Sequence, residues 1–384
     1  MSLTKDIRNV LDTIDSINPH ATYLSEGTLS KVDGWINTGS YVLNAIISGS
    51  INKGVPRNRV TLFAGESMTG KTYVITKILA NAQKEGLIPV IFDTEGAIDS
   101  ESAAKLGLDT SKVKYVPCFS IEETRNTIYN FLTKVKENGQ QGKFIIAIDS
   151  LGNLENQLSL DRMTKESSST DMGTRARAIK SLLKTCTNMS RLTKTTFLIT
   201  NHTYDDPSAM YESMIKHQPG GKSVWYLSDV TVQLARKPEK DDGGKLVDSK
   251  LAVGQRNYPG VILRALTVKN RFVRQYLQGE MYLSFESGLN KYYGLLDLAV
   301  GFGIVVQNGA TYALADGTKL GYYKTWRTDE ELWNTKLLPA IEAKIKTEWQ
   351  YGNSDEIPDE LPSEEEPVAK KTKGAKLAED VTDE

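Results

Sequence analysis

The sequence predicts an α/β fold whose mainly parallel central sheet is covered by helices on both faces. Three observations carry that expectation. Short apolar runs alternate with stretches of helical period along most of the chain. One run, VTLFA, leads into a glycine-rich loop that opens a helix. Another, FIIAID, ends in an aspartate. Interleaved strands and helices make βαβ units, which bury parallel strands between two helix layers.

Taken in chain order, Leu3, Ile7, Val10, Leu11, Ile14 and Ile17 recur at helical spacing and predict an amphipathic first helix, ended by Pro19. Residues 27–40 are rich in Gly, Ser and Asn, and YVLNAIISG follows as an apolar segment closed by Gly49. Strands are expected at Val60–Ala64, Ile88–Phe92, Val113–Pro117, Phe144–Ile148, Thr195–Thr200, Val230–Ala235, Val261–Val268 and Met281–Phe285. Helices are expected at Lys71–Glu85, Ile121–Asn138 and Thr174–Leu192. The later strands lie close enough in sequence to pair antiparallel at one edge. The expected divisions are an N-terminal helix and linker (1–38), an α/β core (39–293), a small C-terminal region helical at its ends (294–352) and a tail (353–384).

The 384 residues are 39% hydrophobic and 25% charged, an ordinary globular composition. Cys118 and Cys186 make no disulfide framework, and His20, His202 and His217 stand far from them, so no structural zinc is expected and a reducing, cytoplasmic compartment fits. MSLTKDIRNVL is no signal peptide, and no apolar run reaches the ~20 residues of a membrane span. The net charge of −1 hides an asymmetry: from residue 353 on, eleven acids face four bases, so the body is basic. An acidic, aromatic-free tail on a basic body suits a polyanion binder with a disordered competitor attached; a merely solubilising tail is the plainer alternative.

GESMTGKT, Gly65 to Thr72, has the spacing of a phosphate loop in its strand–loop–helix context. Gly65 and Gly70 permit backbone angles that turn successive N–H groups of Glu66, Ser67, Met68 and Thr69 into one concavity, and the helix N-terminus adds partial positive charge. Lys71 is expected on the β- and γ-phosphates and the Thr72 hydroxyl on Mg²⁺, so ATP and Mg²⁺ are the expected cofactors. Asp149 stands where a second acidic element would hold the same metal through water. Asp93 and Glu95 follow another strand, and Glu95 is the carboxylate expected to polarise the attacking water.

The ordered set GESMTGKT, IFDTEGAID, IAIDSLGNL, FLITNHTY, QPGGKSVWYLSDV and LTVKNR resembles the RecA family of strand-exchange ATPases, and within it the UvsX-type recombinases of T4-like bacteriophages, over residues 39–302. The resemblance implies a RecA-like core, DNA-dependent ATP hydrolysis and helical filaments on single-stranded DNA that pair it with homologous duplex in recombination, repair and recombination-dependent replication. It also implies a first helix used for polymerisation, a single-strand-binding protein and a loading mediator as partners, and, for a phage product, the cytoplasm of a bacterial host.

By the same resemblance two loops, about residues 153–173 and 203–221, hold DNA. Arg162, Lys165, Met172 and Gly173 belong to the first, with Arg175, Arg177, Lys180 and Lys184 along the helix after it. Tyr204, Met210, Tyr211, Lys216, Gly220, Gly221 and Lys222 belong to the second. Basic groups and glycine N–H groups suit phosphates, and apolar side chains can wedge between bases. His202 falls at the family's γ-phosphate sensor, and Lys269 and Arg271 at the pair that reaches a neighbour's ATP. The sequence departs from the family at Ser102, where an adenine-stacking aromatic is expected, which leaves Asp99 as the base contact. A hexameric helicase on the same core and a nucleotide-switched DNA-binding scaffold are the competing functions.

Overall fold

A computed structural model describes residues 4–25, 29, 32–163, 172–204, 215–237 and 260–350. Helix α1, Lys5–Ile17, forms as the periodicity predicts, yet buries none of its residues. Its apolar stripe stays open: Ile7, Val10, Ile14 and Ile17 are all about half exposed or more. After the short strand β1, Trp35–Ile36, comes α2, Tyr41–Ser48. The Ser40 hydroxyl accepts from the Leu43 amide at the start of α2, and Gly49 ends it at φ 69°, a left-handed angle that favours glycine.

The core follows in βα order. Strand β2 is Val55–Pro56, β3 is Val60–Gly65, and α3 is Lys71–Lys84. Next come β4, Ile88–Asp93, α4, Ser100–Lys105, β5, Lys114–Pro117, and α5, Ile121–Glu137. Ser120 caps α5, acids fill its first turn and lysines its last, each matched to the helix dipole. Strand β6, Phe144–Asp149, α6, Gln157–Met163, α7, Met172–Leu192, and β7, Thr196–Asn201, follow. Helix α8, Lys222–Leu227, precedes the strands β8, Val230–Arg236, β9, Gly260–Asn270, β10, Gln278–Ser284, and β11, Gly288–Leu289.

The nine-stranded sheet runs β11-β10-β9-β8-β3-β7-β6-β4-β5. From β8 to β5 neighbouring strands are parallel, while β9, β10 and β11 add on antiparallel at the β8 edge. Successive side chains of a strand go to opposite faces. Phe63 packs with Val74, Ile75 and Ile78 on one face; Leu62 and Ala64 pack with Ile128, Leu182 and Cys186 on the other. Both cysteines are free and buried, and burial drives the Cys186 thiol pKa far up, so neither suits redox chemistry.

The eighth expected strand begins three residues early, because pairing with β9 runs from Gln278↔Leu266 to Ser284↔Gly260 and carries polar residues into the ladder. Beyond the sheet lie α9, Leu295–Gly301, a meander of β12, Val305–Asn308, β13, Thr311–Leu314, and β14, Lys319–Tyr322, then α10, Tyr323–Trp326, α11, Glu330–Leu332, and α12, Leu338–Glu348. This region shares one core with the sheet: Trp333, Ile341 and Ile345 join Ile46, Ile47 and Ile51. Glu342 fixes the contact, accepting from the Ser50 hydroxyl and the Ile51 amide, both at 2.8 Å.

Candidate nucleotide and DNA site

Strand β3 delivers the chain to the phosphate loop, and Gly70 turns it into α3 at φ 82°. The two loop glycines act differently from the sequence expectation. Gly70 supplies the left-handed angle, but Gly65 is required by space: a Cβ there would lie 2.5 Å from the Leu234 carbonyl oxygen and from Thr69 Oγ1. Met68 adopts φ 63° without being glycine. Lys71 Nζ is buried and donates to the Gly65 and Glu66 carbonyls at 2.9 and 2.7 Å, holding the loop closed on itself. Burial lowers its pKa, opposed by Glu95, Asp149 and Glu66.

Asp149 ends β6 with 1% of its surface exposed. Thr72 Oγ1 donates to its Oδ2 at 2.7 Å, and the Thr200 hydroxyl donates to Oδ1. Burial raises the Asp149 pKa, the two hydroxyls oppose that, and Glu95 and Asp93 add to it. One alcohol and one carboxylate in contact at the phosphate loop form an oxygen donor pair that fits Mg²⁺, which keeps several waters and takes few protein ligands. Among the described residues no cluster of three or more His, Cys, Asp or Glu competes as a metal site.

Asp93, at the end of β4, accepts from the Glu95 and Gly96 amides at 2.9 Å and so folds the next turn around itself. That turn aims Glu95 at Ser150, whose hydroxyl donates to Oε1 at 2.6 Å, and at His202, whose Nε2 lies 2.9 Å from the same oxygen. His202 stands just after β7, at the root of the second long loop. Its ring rests against Gly152 at the root of the first: a Cβ on Gly152 would come within 2.6 Å of His202 Cδ2. Asn201 joins the same junction, with Oδ1 accepting from the His202 amide and Nδ2 donating to Gln218 Oε1 and the Pro219 carbonyl. Gly152, Ser150 and Gln218 were not singled out by sequence; only their packing gives them away.

The expected DNA residues divide into three groups. Lys165, Met210 and Tyr211 lie outside the described residues, while Arg162 falls in the last turn of α6, Met172 opens α7 and Lys222 opens α8. Arg177, Lys180 and Lys184 are exposed together along α7, opposite buried Ile179, Leu182 and Cys186. The third group is tied inward. Arg175 donates to the Leu154 and Gly152 carbonyls at 3.0 and 2.5 Å and holds the first loop's root. Tyr204 bridges His217 through both backbone amides, their rings stacked at 5.9 Å, and Lys216 Nζ lies 2.6 Å from Glu66 Oε1. Gly173 and Gly221 are exposed, and Gly220 is half-buried at φ 93°.

Asp99 is taken up as the N-cap of α4, accepting from the Glu101 and Ser102 amides, and hydrogen bonds from Ser102 hold its carboxyl below the usual range. Lys269 and Arg271 stand at the far end of the sheet. Register pairs Gly65 with Leu234 at one end of β8 and Asn270 with Val230 at the other. Four residues of strand, roughly 13 Å, separate those ends. Neither cation serves the phosphate loop of its own chain.

The chain matches the model of the RecA N-terminal domain over residues 6–290. It is 27% identical to Protein RecA of Chlorobium chlorochromatii (strain CaD3) over 290 residues, covering 76% of this chain and 75% of that protein. It is 28% identical to Protein RecA of Rhodococcus jostii (strain RHA1) over 329 residues, covering 86% and 87% respectively. No described helix is long and apolar enough to cross a membrane.

Proposed function

The chain belongs to the RecA family, and on that premise we propose that it is an ATP-dependent DNA strand-exchange recombinase of the UvsX type, assembling as a helical filament on single-stranded DNA in the cytoplasm of a bacterial host. The observation that carries the reading is the Glu95–His202 contact, 2.9 Å long, which joins a carboxylate beside the phosphate loop to the root of the second loop. In this reading the Glu66–Thr72 amides cradle the ATP phosphates and Lys71 leaves its loop carbonyls for the β- and γ-oxygens. Thr72 and Asp149 hold Mg²⁺, which when bound neutralises phosphate charge. Glu95 orients and polarises the attacking water, steadied by the Ser150 hydroxyl. His202 reports the γ-phosphate to the second loop, and Lys269 and Arg271 stabilise the transition-state charge on a neighbouring copy's ATP.

Residues 1–38 serve as the docking arm, 39–293 as the ATPase core, 294–352 as an accessory region and 353–384 as an acidic competitor for DNA. The uncovered apolar stripe of α1 supports the first assignment. DNA is gripped through its backbone by Arg177, Lys180 and Lys184 on one side and by Gly220 and Gly221 amides on the other, so affinity falls steeply with salt. Homologous duplex, a single-strand-binding protein and a loading mediator complete the reaction. The test is ATP turnover with and without single-stranded DNA, paired with electron micrographs on a slowly hydrolysed analogue. Stimulated turnover with filaments is expected; closed rings would establish a helicase, and turnover indifferent to DNA a scaffold.

A further inference from the structure

Lys216 was expected at DNA, and the structure places it on the phosphate loop. Its Nζ lies 2.6 Å from Glu66 Oε1. Its backbone amide donates to Gln233 Oε1 at 3.0 Å, and Gln233 sits on β8 beside Ala64 of β3, at the strand end that launches the loop. The ammonium side chain is 22% exposed and the Glu66 side chain 57%. Glu66 is also held through its carbonyl, by Lys71 Nζ at 2.7 Å and Thr69 Oγ1 at 2.8 Å. One residue is therefore gripped on its backbone by the phosphate-binding lysine and on its side chain by the base of the second loop.

We propose that Glu66 and Lys216 are a positioning pair through which occupation of the phosphate loop sets the base of the second loop, a connection separate from Glu95–His202. A triphosphate draws Lys71 Nζ off the Gly65 and Glu66 carbonyls. The Glu66 carbonyl then keeps only the Thr69 hydroxyl, and as the peptide shifts its side chain carries Lys216 with it. A carboxylate beside a bound triphosphate is repelled unless a cation neutralises it, so nucleotide also sharpens the demand on Lys216. Through Lys216 the motion reaches His217, Gln218 and Pro219, which Tyr204 and Asn201 bind to the end of β7. The inference rests on the recombinase reading for its DNA consequence, and on geometry alone for its nucleotide consequence.

The test is a double-mutant cycle of Glu66→Gln, Lys216→Met and the double variant in the full chain, with a nonhydrolysable ATP analogue at concentrations that saturate each protein. Amide exchange at residues 215–218 reads the pair without DNA. The analogue is expected to change exchange there in the wild type, and to do so at least about threefold less in either single variant, with no further loss in the double. A response kept intact in Glu66→Gln overturns the proposal. Oligonucleotide affinity, measured with and without the analogue, is the second readout. The nucleotide-dependent gain should shrink about three- to fivefold in each single variant and equally in the double, the range for a half-exposed ion pair. Affinity lowered equally with and without nucleotide by Lys216→Met, and untouched by Glu66→Gln, would make Lys216 a plain phosphate contact and overturn the pair. Wild-type protein that binds no oligonucleotide would sink the recombinase reading, while the exchange measurement still decides the pair.

Discussion

The two ends of the parallel strands carry opposite chemistry. At their carboxyl ends Asp149, Glu95 and the phosphate loop gather, with Lys71 turned back on its own loop. At their amino ends Asp229, 2% exposed in its side chain, faces Arg271 at 3.3 Å and Arg191 at 3.8 Å, with Arg59 close enough for its charge to be felt. Lys269 joins them, donating to the carbonyls of Trp225, Tyr226 and Ser228 at the end of α8. Asp229, even with Asp33 acting on Arg59, cannot neutralise four cations. A surplus of positive charge at one end and a phosphate cradle at the other, too far apart to meet within a chain, suit a head-to-tail stack in which one copy's cations reach the next copy's nucleotide. Such a contact makes a ring where its rotation closes and a filament where it does not, and the proposed recombinase requires the second.

That contrast breaks first at the cradle. Lys71→Ala should leave no measurable ATP turnover, with or without DNA, in a phosphate-release assay. Loss at the opposite end should look different. Arg271→Ala should cut DNA-stimulated turnover on the order of 10³-fold, as removal of an arginine finger does, while a single protomer still binds fluorescent ADP. Mixing that variant with Lys71→Ala should restore turnover, because each supplies the end the other lacks. Failure of the mixture to recover would show that Arg271 does not act on a neighbouring copy's nucleotide.

Smaller effects sharpen the comparison. Gly152→Ala sets a methyl 2.6 Å from the His202 ring and should push it off Glu95, costing about tenfold in stimulation by DNA with ADP affinity kept. Equal losses in both would show a folding defect. The smallest effect is one of pH. Burial, then the Arg271 charge, pulls the Lys269 pKa down to about 8. Its charge is present below that value and fades above it, so DNA-stimulated turnover should fall about threefold from pH 7 to 9, and Lys269→Arg should flatten the profile. Stability runs the other way. The unfolded chain keeps this proton up to about 10.4, so between about pH 8 and 10.4 it binds more protons and the fold gains stability as pH rises.

Much of the site was legible in the sequence because it depends on contiguous residues. GESMTGKT needs only its neighbours in the chain to make a phosphate cradle, and FIIAID needs only a buried strand to present Asp149 at the right edge. What escaped was whatever depends on a through-space partner. Arg175 and Lys216 read as free basic groups by composition, yet one is spent on the Gly152 and Leu154 carbonyls and the other on Glu66. Gly65 reads as a source of backbone freedom, and proves to be a matter of clearance from the Leu234 carbonyl of a strand about 170 positions later.

By itself the sequence determined the alternation of strands and helices, the phosphate loop and the identity of the acids that end β4 and β6, because local periodicity, turn chemistry and short motifs are written in adjacent residues. Only the tertiary structure decided that Glu95, Ser150, Gly152 and His202 meet in one junction, and that Lys269 and Arg271 stand at the opposite end of the sheet. Strand order and register settle both, and they are set by how whole faces bury against one another, which no single stretch of chain encodes.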